Sequence, residues 1–225
     1  MEILDPIPIN LNSTKISETL LVKKTGSWKQ FESIFEIAKA RITPKAVYGI
    51  RYIDEKREDE IIIDGVCFKS RVLRKNLDEV ERVFPYAVTI GAGLEEQFGG
   101  LKDMLDKYYL DAIGNIALIN ARKYLEDELR SRFALARVSF MSPGSLEDWP
   151  LEQQKPLFSF LNGVAHSIGV KLTENCVMVP TKSVSGIYFP TETTFYNCQL
   201  CPRSRCIGRK AAYSKEMAEK YGIAV

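Results

Sequence analysis

Residues 183–189, Ser-Val-Ser-Gly-Ile-Tyr-Phe, read as a strand. The chain leaves this strand through Tyr196 and runs into Cys198, Cys201 and Cys206, so that three of its five cysteines fall within nine residues. Just upstream, residues 134–141 predict another strand. It ends in Ser142-Pro143-Gly144-Ser145, a strong turn signal, and the acidic pair Glu147-Asp148 then precedes Trp149-Pro150-Leu151. Pro156 lies too deep for one helix to continue from Pro150. A turn followed by a helix over residues 156–167, ended by Gly169, is therefore expected.

Further toward the amino terminus, residues 84–90 form an apolar run closed by Gly91-Ala92-Gly93, followed by a long helical pattern over residues 101–133. Spacing assigns Leu105, Tyr109, Ala112, Ile116, Ile119 and Tyr124 to its buried face and Lys123, Glu126, Asp127, Glu128 and Arg130 to a solvated end. Gly114 in its middle marks close packing against another element. Residues 47–53 and 61–68 predict two strands joined by the charge run 54–60 as a hairpin tip. Before them, Trp28, Phe31, Ile34, Phe35 and Ala38 mark one face of a helix ending ahead of Pro44.

Composition is that of an ordinary globular chain, 45% hydrophobic and 27% charged over 225 residues. A net charge of +2 gives no global field that argues for nucleic acid or a membrane surface. The start, MEILDPIPIN, lacks the basic region of a secretory signal, and no apolar stretch approaches the ~20 residues of a membrane helix. A cytoplasmic location is expected, where clustered thiols more often mean metal or redox chemistry than disulfides. The single histidine, His166, lacks the pairing needed for a hydrolytic zinc site or a histidine-based triad, and Gly91-Ala92-Gly93 lacks the rest of a dinucleotide-binding pattern.

Taken together, the turn at 142–145, the segment GVKLTENCVMVP at 169–180 and the strand at 183–189 resemble, in order and spacing, the activation domain of cobalamin-dependent methionine synthase. The resemblance implies an α+β (mixed α/β), C-shaped domain over residues 1–225, with a twisted, largely antiparallel sheet flanked by helices. Residues 1–45 would form a helical or irregular lead-in and residues 198–209 a Cys-rich segment appended to the core. It also implies S-adenosylmethionine as ligand and docking over a cobalamin-carrying domain, where methyl transfer drives the reductive recovery of oxidised cofactor.

Carried over residue by residue, the ligand contacts fall on Tyr196 and Asn197 and on the turn residues Ser142, Pro143 and Gly144. The family places an arginine four residues before the turn glycine, suited to the ligand carboxylate. Here that position is Phe140, and Arg137, three residues away along a strand, belongs to the opposite face. The carboxylate is then held by another group, or binding is weaker, or the ligand differs.

The cysteines are a second departure. Cys198, Cys201 and Cys206 have spacing that can place three thiolates on one iron-sulfur cluster or zinc, with Cys176 or Cys67 as the fourth ligand, or they are reduced thiols on a loop. Arg203, Arg205, Arg209 and Lys210 make their surroundings basic. The expected function is an activation subunit for a cobalamin-dependent methionine synthase or another corrinoid protein, working with an electron donor protein and catalysing no complete reaction alone. The alternative is a metal- or iron-sulfur-binding redox adaptor built on the cysteine segment.

Overall fold

The computed structural model describes residues 1–161, 163–205 and 209–223. In chain order its elements are β1 (Glu2–Leu4), α1 (Ser13–Thr19), α2 (Val22–Thr25), α3 (Trp28–Arg41), β2 (Lys45–Tyr48), β3 (Arg51–Lys56), β4 (Glu60–Ile63), β5 (Val66–Lys69) and α4 (Arg71–Asn76). There follow β6 (Arg82–Thr89), α5 (Gly93–Phe98), α6 (Met104–Arg132), β7 (Val138–Met141), α7 (Gln154–Phe160), α8 (Val164–Ser167), β8 (Lys171–Leu172), β9 (Met178–Val179), β10 (Ser183–Pro190) and α9 (Lys215–Tyr221).

β6 is the central strand, and seven of its eight residues are buried. One edge pairs with β10, which pairs in turn with β7. The other edge pairs with β2 and then with β3, and the sheet continues through β4 to β5. Every pairing is antiparallel. The sequence-predicted strand over 47–53 is therefore two strands, broken at Gly49-Ile50. The break lies opposite Pro85, which has no N–H to offer a neighbour, and Gly49 N–H donates to the Pro85 carbonyl at 3.0 Å.

Residues 61–68 are likewise not one strand. Asp64 and Gly65 adopt positive φ angles of 41° and 74° and turn β4 tightly into β5, as an Asp-Gly pair between apolar residues does. The hairpin tip does fall within the charge run, but it is shorter than expected: residues 54–56 belong to β3 and Glu60 to β4, leaving Arg57, Glu58 and Asp59 between them.

The two sheet faces bury different sets of residues. Phe84, Tyr86, Val88 and Tyr188 face α3 and α6, while Val83, Met141, Ile187 and Phe189 face a cluster completed by β4, β5, α4, α7 and α9. α3 forms as predicted, with Phe31, Ile34, Phe35 and Ala38 buried; Trp28, in its first turn, stays 43% exposed. α6 buries Tyr109 as predicted, together with Leu110, Ile113, Gly114, Ala117, Ala121, Arg122, Leu125 and Leu129, while the predicted Leu105, Ile116 and Tyr124 flank this stripe partly buried. Ile119 is 54% exposed. Small residues set this stripe, because they let the helix approach the sheet closely. A Cβ on Gly114 would stand 2.8 Å from Leu94 Cδ1, which is the packing role expected of that glycine.

The predicted helix over 156–167 begins two residues earlier, with Pro156 in its first turn, and is split into α7 and α8 by Gly163 at φ 76°. Among the described residues no helix is long and apolar enough to cross a membrane. The mixed α/β class and the twisted, antiparallel sheet flanked by helices are as read from the sequence.

Candidate functional site

Each residue that opens β10 has a separate task. Ser183 Oγ donates to Thr89 Oγ1 at 2.9 Å, tying the strand to β6, and Ser185 Oγ donates to the buried Gln154 Oε1 at 2.6 Å, tying it to α7. Gly186 leaves room for the turn that ends β7. A Cβ there would stand 2.8 Å from Ser142 Oγ and nearer still to the Met141 carbonyl oxygen.

That turn is closed by Ser145 N–H donating to the Ser142 carbonyl at 3.1 Å and by Ser145 Oγ donating to the same oxygen at 2.5 Å. Gly144, at φ 80°, donates its N–H to the Trp149 carbonyl at 2.7 Å. Asn197 Nδ2 donates to Ser145 Oγ at 2.6 Å, so the segment leaving β10 is tied to the turn leaving β7. Ser142, Pro143, Gly144 and Asn197, far apart in sequence, thus belong to one structure. Tyr196, next to Asn197, is half-buried, and its N–H donates to Gln199 Oε1 at 3.0 Å. A groove lined by Arg137, Thr191, Phe195, Gln199 and Tyr221 reaches the same segment through Gln199 but contains none of the five predicted ligand contacts.

Among the described residues, four buried side-chain atoms lack a well-formed hydrogen bond: Tyr86 Oη, Ser142 Oγ, Asn197 Oδ1 and Trp149 Nε1. The first three belong to this corner, since Tyr86 pairs directly with Gly186 and Ser142 crosses over it. Buried polar atoms left unpaired cost about 1–3 kcal/mol each, so these atoms mark a place where water or a ligand would be stabilising.

Phe140 points to the same sheet face. Its ring lies 5.6 Å from that of Tyr188, its partner in register, and Tyr188 lies 4.6 Å from Tyr86. Over Phe140 sits Arg122 of α6, its guanidinium carbon 3.9 Å from the ring centroid and its Nη1 donating to Tyr188 Oη at 3.1 Å. Lys210 Nζ lies 5.6 Å from the same centroid. Burial opposes the charge on Arg122, but Tyr188, Tyr86 and Glu126 outweigh it and hold the guanidinium protonated. Burial first, and then Arg122, lower the proton affinity of Lys210. Burial pushes the phenols of Tyr86 and Tyr188 up.

Arg137, in contrast, is exposed and donates to the Glu192 carbonyl at 2.8 Å. Sequence reasoning did not name Arg122 or Tyr86 among the neighbours of Phe140. The available signal was the unexplained Phe140, which had to face something.

Cys198 and Cys201 are half-buried free thiols on one turn. Cys198 Sγ accepts the Lys210 N–H at 3.4 Å, and Arg209 donates to the carbonyls of Cys198 and Cys201 at 3.0 and 3.2 Å. Cys206 lies outside the described residues. The expected fourth ligands are not brought to this pair: Cys176 is buried in the turn between β8 and β9, and Cys67 is exposed on β5. Among the described residues no group of three or more histidine, cysteine or acidic side chains could hold a metal.

The model of the family described as vitamin B12 dependent methionine synthase, activation domain, matches residues 143–206. That stretch includes Pro143, Gly144, all of β10, Tyr196 and Asn197. A crystal structure of the MetH reactivation domain bound to AdoHcy is similar over 84% of this chain and 72% of that one, with 17% identity and a TM-score of 0.59. The chain therefore has the fold of that reactivation domain, and the resemblance read from its three motifs holds.

Proposed function

We propose that this chain binds S-adenosylmethionine where the 142–145 turn meets Tyr196 and Asn197, and docks on a cobalamin-carrying methionine synthase or related corrinoid protein to support its reductive remethylation. The observation that carries this reading is the gathering of buried polar groups within and beside the segment that matches the activation domain: Asn197 Oδ1, which has no partner, and the Tyr86 and Ser142 hydroxyls, which have no well-formed bond except what each offers the other. Donors and acceptors of this kind suit the amino, hydroxyl and carboxylate groups of such a ligand. The AdoHcy in the similar reactivation-domain structure carries the same amino, hydroxyl and carboxylate groups and lacks only the methyl group and the sulfonium charge that comes with it.

When bound, S-adenosylmethionine supplies the methyl group for the partner's cobalamin, while the accompanying electron comes from a donor protein. This chain's part is to hold and orient. Gly144 keeps a bulky side chain out of the turn, the Ser145–Asn197 bond fixes the two strand exits together, and the Tyr196 ring offers a face to the sulfonium, worth about 0.5–2 kcal/mol.

The test uses a cobalamin-loaded methionine synthase lacking its own activation domain, with a chemical reductant and S-adenosylmethionine. Visible absorbance should show the methylated cofactor accumulating only when this chain is added. Equal accumulation without it would overturn the proposal.

A further inference from the structure

We infer that Arg122 and Lys210 form the anion-binding end of the proposed nucleoside site and hold the α-carboxylate of the ligand's amino-acid moiety. The inference rests on the reading above, and it assigns the carboxylate to two residues outside the five contacts carried over from the family.

Arg122 is 8% exposed, a setting in which a guanidinium is costly unless its donors are used. Its partners within the chain leave most of that capacity open. One N–H donates to the neutral Tyr188 phenol at 3.1 Å, and Glu126 Oε2 stands 3.9 Å away, while Glu126 also pairs with Lys123 at 3.0 Å. A guanidinium has five N–H donors arranged to grip a carboxylate with two parallel bonds.

Lys210 brings a second cation to the same aromatic ring and is held there by its own backbone. Its N–H is fastened to Cys198 Sγ, and Arg209 beside it is fastened to the carbonyls of Cys198 and Ala211 at 3.0 and 3.1 Å. Burial first, and then the neighbouring Arg122 charge, lower the proton affinity of Lys210. Lys123 is taken up by Asp127 at 2.7 Å and Glu126 at 3.0 Å. Among the described residues this leaves Arg122 and Lys210, the two cations at the Phe140 ring, with only Glu126 as an ion-pair partner, at 3.9 Å from Arg122, and an anion entering between them supplies the missing counter-charge.

Phe140 then has a physical reason. In place of a charge on the strand it presents a ring on which a guanidinium delivered from α6 lies flat at 3.9 Å. The Tyr86 and Ser142 hydroxyls, which reach only one another, stand close by to bond the rest of the ligand.

Two ligands separate the carboxylate from the nucleoside: S-adenosylhomocysteine, and 5′-methylthioadenosine, which lacks the amino-acid moiety. In calorimetric titrations of the purified chain, Arg122→Gln should weaken S-adenosylhomocysteine about tenfold and Lys210→Ala about threefold, while both keep methylthioadenosine within about twofold of wild type. Lys210 is far less buried than Arg122, so its variant tests the site even if Arg122→Gln fails to fold. Unchanged S-adenosylhomocysteine affinity in the Lys210 variant, equal loss of both ligands, or equal affinity of wild type for both would overturn this inference and leave the nucleoside reading standing. Failure of wild type to bind either ligand would overturn both.

Discussion

The α-carbon of Gly186 lies directly against Ser142, so that an added methyl group would stand 2.8 Å from the hydroxyl and closer still to the preceding carbonyl. The strand that pairs with the sheet centre and the turn that leaves its edge are in this way one packed unit. Because the obstructing atom is backbone, it cannot swing aside. Gly186→Ala is expected to cost about 2–3 kcal/mol, seen as a lower urea midpoint, and to weaken nucleoside binding with it. A midpoint equal to wild type would show that the turn is free to move off the strand.

Asp148, expected from sequence only as part of an acidic loop, holds the start of α4. Its Oδ2 accepts from Ser70 Oγ at 2.5 Å and from Val72 N–H at 2.9 Å, and Arg71 stands at 3.4 Å from Oδ1. Its side chain is only 8% exposed. Asp148→Ala should lower stability by about 2 kcal/mol, measured by thermal or urea unfolding, because two donors at the helix start lose their acceptor. Asp148→Asn, which keeps an acceptor oxygen, should recover part of the loss. Equal losses in the two variants would count against the capping role.

Tyr86 and Tyr188 are fully buried, and burial raises both phenols above the ordinary tyrosine value of about 10. The native state therefore holds these protons more tightly than the unfolded state does. Their contribution to stability is complete below about pH 10 and is lost as pH rises from there through the native-state values. Of the ten tyrosines, these two should ionise only as the chain unfolds, giving a late step in the ultraviolet titration that coincides with loss of far-ultraviolet circular dichroism. Ionisation of all ten in a single wave, with the fold intact, would contradict the burial.

The sequence disclosed the elements whose local pattern agrees with their tertiary surroundings. The 3.6-residue repeat from Phe31 to Ala38, the apolar run of β6, the Pro-Gly turn and the strand ending in Tyr188 and Phe189 all formed where expected. Asp64-Gly65 was legible and passed over, since the length of the apolar run masked the turn inside it. The break at Gly49 was less accessible, because its cause is Pro85 on a neighbouring strand.

The stripe of α6 follows Gly114, Ala117 and Ala121, whose value lies in what they leave vacant, and hydrophobicity does not register that. In the candidate site, Ser142, Pro143, Gly144 and Asn197 were legible as motif positions and do come together. Arg122 was not, because a charged residue on a helix reads as solvated until the ring it stacks on is known. Cys176 shares a sequence neighbourhood with β10 but is spent in the turn between β8 and β9, where spacing alone could not place it.

Calorimetric titration of the purified chain with S-adenosylmethionine, beside Tyr196→Ala and with S-adenosylhomocysteine as competitor, tests the central claim most directly. The account predicts saturable binding at one site, displaced by S-adenosylhomocysteine and weakened about 2- to 30-fold by the substitution. No heat of binding at millimolar ligand, or binding that Tyr196→Ala leaves untouched, would contradict it.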